Sequence, residues 1–241
     1  MNNINEQGQN SETVFHGNGQ QKSIYEFYGK SASLFANTIH TNLPAGDYVL
    51  ADLGGHKGEL LGDILNLLPE YNFDSIIIDK VEGLDLKVKT RKIIGDIIDS
   101  KIPDKSIDVV IVRYVLPWDK FENQKLILKE IKRICRGIAI IQHQGAPNDN
   151  PKPLQDASIK LWGGSVPVLK RNYGFFTEAK KIEEWMNELQ IKFNKIDEKY
   201  IETLSGLFSE NFGLSPADTK MTEDILSGCD GITVTTWLLR F

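Results

Sequence analysis

Apolar residues follow two patterns along this chain, and their alternation predicts an architecture. Short continuous runs bounded by polar residues read as strands buried on both faces: Tyr48–Leu53, Ser75–Ile78, Lys92–Gly95, Ile107–Val112 and Ile138–Gln142. Between them, apolar residues recur at helical spacing. Leu60, Leu61, Ile64, Leu65 and Leu68 predict a helix stopped by Pro69. Leu126, Ile127, Glu130, Ile131 and Ile134 predict another over 123–136, ended by Gly137. Strands alternating with such connections imply a parallel sheet with right-handed crossovers. The passage from Val81 to Arg91 is short for a helix plus loops, so an abbreviated helix or an irregular crossing is expected.

The flanks read differently. Residues 1–22 hold only Ile4, Val14 and Phe15 as sizeable apolar side chains and read as a disordered or loosely held arm. Ser23-Ile24-Tyr25-Glu26 has the form of a capping box, which starts order at Ser23 and leads into one or two helices ending near Leu43-Pro44. After His143, Pro147, Pro151, Pro153, Pro167 and Gly163-Gly164 mark a partly irregular excursion over 144–174, and loops of that length are more often functional than idle. Thr177 is the expected cap of a helix carrying Ile182, Trp185, Met186 and Leu189 on one face. Lys192–Ile201 reads as a strand, 203–228 as a helical or mixed insertion, and Gly231–Phe241 as a closing strand rich in β-branched and aromatic residues. Residues 23–241 thus form one elaborated α/β domain, with 23–44, 144–174 and 203–228 as sources of a substrate lid or an interface.

Composition narrows the classes. With 41% hydrophobic and 25% charged residues the chain is an ordinary globular one, and its net charge of -5 argues against a broad nucleic-acid footprint. No apolar run reaches membrane-spanning length, and the first residues lack the apolar core of a signal peptide. Cys135 and Cys229 form no CxxC unit and read as free thiols in a reducing compartment, so a cytoplasmic location is expected. The histidines show no metal-ligand spacing, and no metal is expected.

Candidate chemistry gathers at the strand ends. Asp52 closes the first strand, Gly54, Gly55 and Gly58 form the turn, and Glu59 opens a helix, an arrangement that offers backbone N–H donors to a ligand. In an open parallel sheet, ligands bind beyond the carboxyl ends of the strands, where Asp52, Asp79, Asp96 and Arg113 should emerge. A carboxylate at the second strand end can accept both hydroxyls of a ribose, and one at the third an exocyclic amine of adenine. Any one of these acids could simply cap a loop. Three in succession, with glycines after the first, make a constellation.

The strings VLADLGGHKG, IIIDK, KIIGDIID and IPDKSIDVVIVRYVL, followed by LKEIKRICRGIAII, resemble the class I S-adenosylmethionine-dependent methyltransferases. The likeness covers residues 48–142 and, in outline, 175–241. It implies a Rossmann-like, doubly wound, seven-stranded sheet, mostly parallel with an antiparallel last strand, in three α/β/α layers. It implies S-adenosyl-L-methionine as cofactor. Asp52, Gly54, Gly55, His56 and Gly58 would face its methionine part, Asp79 with Lys80 its ribose, and Asp96 with Ile97 its adenine, with Arg113 on the same edge. His56 stands where the family's D-x-G-x-G-x-G turn has its middle glycine, a harmless change if φ there is negative. That loss, and an Asp52-to-Asp79 separation above the roughly 20 residues of a nicotinamide fingerprint, count against a dehydrogenase.

The implied activity is methyl transfer by in-line displacement to a small organic acceptor, at oxygen or nitrogen rather than carbon. His143, read as following strand five directly, is the best-placed base, ahead of Asp119, Tyr25, Tyr28 and His40. Tyr25, Tyr28, Tyr114, Trp118, Trp162 and Tyr173 are the expected substrate-lining residues. The Asn/Asp-Pro-Pro-Tyr box of enzymes that methylate adenine N6 or glutamine amides is absent after strand four. RNA or protein remain alternative acceptors, and a catalytically silent cofactor-binding partner subunit is a third reading. The sequence does not set the oligomeric state.

Overall fold

The computed structural model describes residues 21–82, 85–166, 174–201 and 214–241, with backbone only for 21–30 and Trp118. Seven strands form one sheet: β1 (Asp47–Leu53), β2 (Asn72–Asp79), β3 (Arg91–Ile94), β4 (Ile107–Arg113), β5 (Cys135–Gly145), β6 (Lys192–Ile201) and β7 (Ile232–Arg240). Their spatial order is β3-β2-β1-β4-β5-β7-β6. The first five run parallel, and β7 pairs antiparallel with both β5 and β6. The order reverses between β1 and β4, which makes their carboxyl ends the switch point of the sheet.

Burial on both faces explains the unbroken apolar runs. Leu50, Ile77, Val109, Ile111 and Ile140 turn to one face, under α1 (Gln21–Asn42) and α2 (Glu59–Leu67). Ala51, Ile76, Ile78, Val110 and Ile141 turn to the other, under α3 (Phe121–Ile134) and α5 (Ala179–Glu188). A third apolar cluster lies beyond the end of β4. It joins Tyr114, Phe176 and Val234 to Leu154 of α4 (Lys152–Lys160), to Leu161 and Trp162 of a π-helical turn, and to Leu226 of α6 (Pro216–Leu226).

Several boundaries differ from the sequence reading for physical reasons. One unbroken helix, α1, passes through Gly29, so Ser23 is helical rather than an N-cap. Gln21 and Lys22 already belong to it, and the rest of the expected arm lies outside the described residues. In α3, Leu126 is exposed and Leu128 buried, which shifts the buried stripe. Strand β5 runs on to Gly145 because its ladder with β7 continues to the Gly145–Thr233 pair. That places His143 inside a strand rather than after one. Helix α5 begins at Ala179 with Glu178 as N-cap, not at Thr177. Residues 95–106, between β3 and β4, contain no helix, and neither do the described residues of the β2–β3 crossing. The 203–228 insertion resolves into α6 plus a stretch outside the described residues.

Candidate functional site

The ladders bring three acids to one edge. Asp52 pairs in register with Ile77 of β2 and Ile111 of β4, and Asp79 with Ile94 of β3, two residues before Asp96. Asp52 is 2% exposed, and its Oδ2 has no hydrogen-bond partner among the described residues. Burial raises its pKa from 3.8 to about 7, a rise that the Arg113 charge moderates and the Asp79 charge adds to. The unpartnered oxygen faces the turn. A Cβ on Gly55 would sit 2.4 Å from Asp52 Oδ2, so only glycine leaves room there. Gly58 takes φ 78° and would set a Cβ within 2.6 Å of Val88 and 2.7 Å of Ile77. Gly54 packs the same turn against Val115, just past β4.

His56 adopts φ 50°, in the left-handed region, so the negative φ that would make its replacement of the middle glycine harmless is not met. Its N–H donates to Asp79 Oδ2 (2.9 Å), and the Val81 N–H donates to Oδ1 (2.9 Å). Asp79 therefore ties the turn after β1 to the exit of β2. Each oxygen keeps a lone pair for a ligand hydroxyl. Val81 is 45% exposed beside it, an apolar surface that the sequence reading missed. Its signal was an apolar residue two places after a strand-end acid.

Lys80 Nζ lies 3.2 Å from Asp96 Oδ2 in a solvent-exposed ion pair, the kind that contributes little to stability. Asp96 Oδ1 accepts from the Ile98 N–H (3.1 Å). The Ile97 side chain is buried in the core, so its backbone is what it can present to a ligand. Arg113 ends β4, half-buried, with its charge acting on Asp52.

The expected base and substrate residues are less favourably placed. His143 is wholly buried, and its Nε2 lies 2.7 Å from the Thr177 carbonyl oxygen. A carbonyl only accepts, so Nε2 carries the proton and donates. Nδ1 has no partner among the described residues. Burial lowers the His143 pKa from 6.5 to about 4, against the opposing hydrogen bond. It is a neutral core residue latching the 174–178 segment to β5, and it has no surface from which to meet an acceptor. Asp119 Oδ1 accepts from the Lys120 N–H and Asn123 Nδ2, at the start of α3. His40 meets Tyr71 and Glu70 just ahead of β2, at the opposite edge of the sheet from the acids. Tyr114 (φ 56°) and Trp162 are buried together in the third cluster and form a wall beyond β4. The side chains of Tyr25, Tyr28 and Trp118, and the whole of Tyr173, lie outside the described residues.

No protein-family model and no curated protein sequence matches the chain. Solved structures do. The YcgJ protein of Bacillus subtilis is 12% identical with a TM-score of 0.67, over 88% of this chain and 98% of that one. A geranyl diphosphate C-methyltransferase from Streptomyces coelicolor, solved with S-adenosyl-L-homocysteine, is 9% identical with a TM-score of 0.57, over 86% and 78%. The cyclase SpnF is 13% identical with a TM-score of 0.57, over 87% and 80%. The likeness is one of fold: the mostly parallel seven-stranded sheet with antiparallel β7 is the Rossmann-like fold of the class I methyltransferases.

Proposed function

We propose that on this fold the chain binds S-adenosyl-L-methionine along the carboxyl ends of β1–β4 and acts as a methyltransferase on a small organic acceptor. The observation that carries the reading is the buried Asp52 carboxylate, whose unpartnered Oδ2 faces a turn that only glycine fits at position 55. A buried carboxylate oxygen without a donor calls for one, and the ammonium of the cofactor's methionine part would be a charged one. Asp79 offers its remaining lone pairs to the ribose hydroxyls. Val81 and the Asp96–Ile97 segment flank the place for adenine.

When bound, the cofactor supplies an already activated sulfonium methyl group. The chain's own residues orient and enclose. The glycine turn and Asp79 would fix the cofactor's direction, and the buried cluster that holds Tyr114 and Trp162 backs the end of β4 beside it. Those apolar surroundings favour a small organic acceptor over a polyanion. His143 is assigned no proton-transfer role, because it is buried and neutral. A cytoplasmic setting agrees with the free Cys135 and Cys229. Among the described residues no helix is long and apolar enough to cross a membrane.

Titration calorimetry with S-adenosylhomocysteine and, separately, NAD tests the reading. Saturable binding of the first alone is expected. Binding of neither, or of NAD instead, overturns it. Transfer of labelled methyl to small hydroxyl and amine acceptors, and not to bulk RNA or protein, checks the acceptor class.

A further inference from the structure

Residues 95–106 lead from β3 to β4 without a helix, so side-chain anchors rather than repeating backbone bonds hold their shape. At one end, the Gly95 N–H donates to the Asp79 carbonyl (3.0 Å), and the Asp99 N–H closes a turn on the Asp96 carbonyl (3.0 Å). The far end is held by the Lys105 N–H on the Arg133 carbonyl (2.9 Å), and midway the anchor is Glu130, a buried acid within the apolar stripe of α3. Its Oε1 accepts from the Ser100 N–H (2.9 Å), the Ser100 hydroxyl (2.6 Å) and Arg133 (2.6 Å), and its Oε2 accepts from Arg133 Nε (2.8 Å). Arg133 in turn donates to the Ile102 carbonyl (2.7 Å) and to Asp104 (2.5 Å). Burial pushes the Glu130 carboxyl upward, but the hydrogen bonds from Arg133 and Ser100 outweigh it and hold the group below its ordinary pKa. The carboxylate is charged, and its bonds outside α3 go to this segment.

We propose that Glu130, with Ser100 and Arg133, is a positioning group for ligand: it sets the loop that presents Asp96 and the Ile97 backbone to the adenine ring. The inference rests on the cofactor reading above. Glu130 touches no part of the ligand. A buried ion pair that served stability alone could give way to apolar packing at little cost. This one reaches four residues past Asp96 and grips the loop by both backbone and hydroxyl of Ser100.

Calorimetry on the full chain, with S-adenosylhomocysteine and free adenosine as probes, tests it below the melting temperature of each variant. Glu130→Gln should raise both Kd values by one common factor, about three- to tenfold, less than loss of a direct charged hydrogen bond would give. Ser100→Ala, which removes the hydroxyl's bond to Glu130 and the longer one it accepts from the Ile102 N–H (3.3 Å) but keeps the backbone bond to Glu130, should show the same pattern at roughly two- to threefold, and serves if the Gln variant does not fold. A lowered melting temperature with both Kd values unchanged overturns the proposal, as does a loss confined to S-adenosylhomocysteine. Wild-type protein that binds neither probe overturns the cofactor reading itself.

Discussion

Replacing Asp52 by asparagine should separate what the site needs from what the fold prefers. The carboxyl titrates near 7 in the folded chain against an ordinary 3.8, chiefly because it is buried. At ~1.4 kcal/mol per pH unit, that gap is worth about 4 kcal/mol. Its sign follows from which state ionises first. Below about pH 4 the group is protonated in both states and costs nothing. As pH rises, the unfolded chain loses its proton first, so folding stability declines until about pH 7 and then levels. The amide of Asp52→Asn has no proton to lose, and the variant's curve should lack that decline. Relative to wild type, the variant should gain about 4 kcal/mol between about pH 4 and pH 8, on top of a constant offset from the new amide. Urea unfolding across that range measures it, and parallel curves would refute the reasoning. The same variant should lose ~1.5–3 kcal/mol of affinity for S-adenosylhomocysteine, so the more stable protein is the poorer binder.

His143 is neutral when folded, with a pKa of about 4 against 6.5, so the unfolded chain protonates first as pH falls and wild-type stability drops between these values. Glutamine there should remove a decline of about 3 kcal/mol, measured against wild type because Asp52 acts in the opposite direction over the same range. Methyl transfer should survive in that variant, and its abolition in well-folded protein would restore the histidine as a base. Asp79→Ala should weaken S-adenosylhomocysteine binding by ~1.5–3 kcal/mol, as the His56 and Val81 N–H groups also lose their acceptor. Unchanged affinity would show that the ribose lies elsewhere. Gly58→Ala meets both φ 78° and two side chains closer than 3 Å, and should cost about 2 kcal/mol or more in urea denaturation. A neutral result would mean that the turn repacks freely.

The parts of the fold legible in the sequence were those set by local chemistry. Strands buried on both faces announce themselves as apolar runs, and acids after successive runs fall at one edge wherever the sheet is parallel. That is why the sequence alone places Asp52, Asp79 and Asp96 together. Long-range effects stayed hidden. The length of β5, and so the burial of His143, depends on pairing with β7, the last strand of the chain. Glu130 reads in the sequence as one more member of a helical stripe, because its partner, Ser100, lies 30 residues upstream in a segment with no periodicity. The sign of φ at His56 is likewise a property of the packed turn, which Asp79 ties down from the next strand.

The placement of β7 has a consequence for the order of assembly. It follows β6 in the chain but lies between β5 and β6, hydrogen-bonded to both. Until it arrives, β6 has no neighbour in the sheet, and the outer edge of β5 is open. The largely exposed, lysine-bearing β6 is suited to that wait, since charged strands resist pairing with foreign chains. The acid-lined edge is built from residues 47–113 and takes no strand from this late closure. During synthesis the cofactor half of the sheet can therefore form first, and a ligand bound there would stabilise a folding unit whose remaining half is still being made.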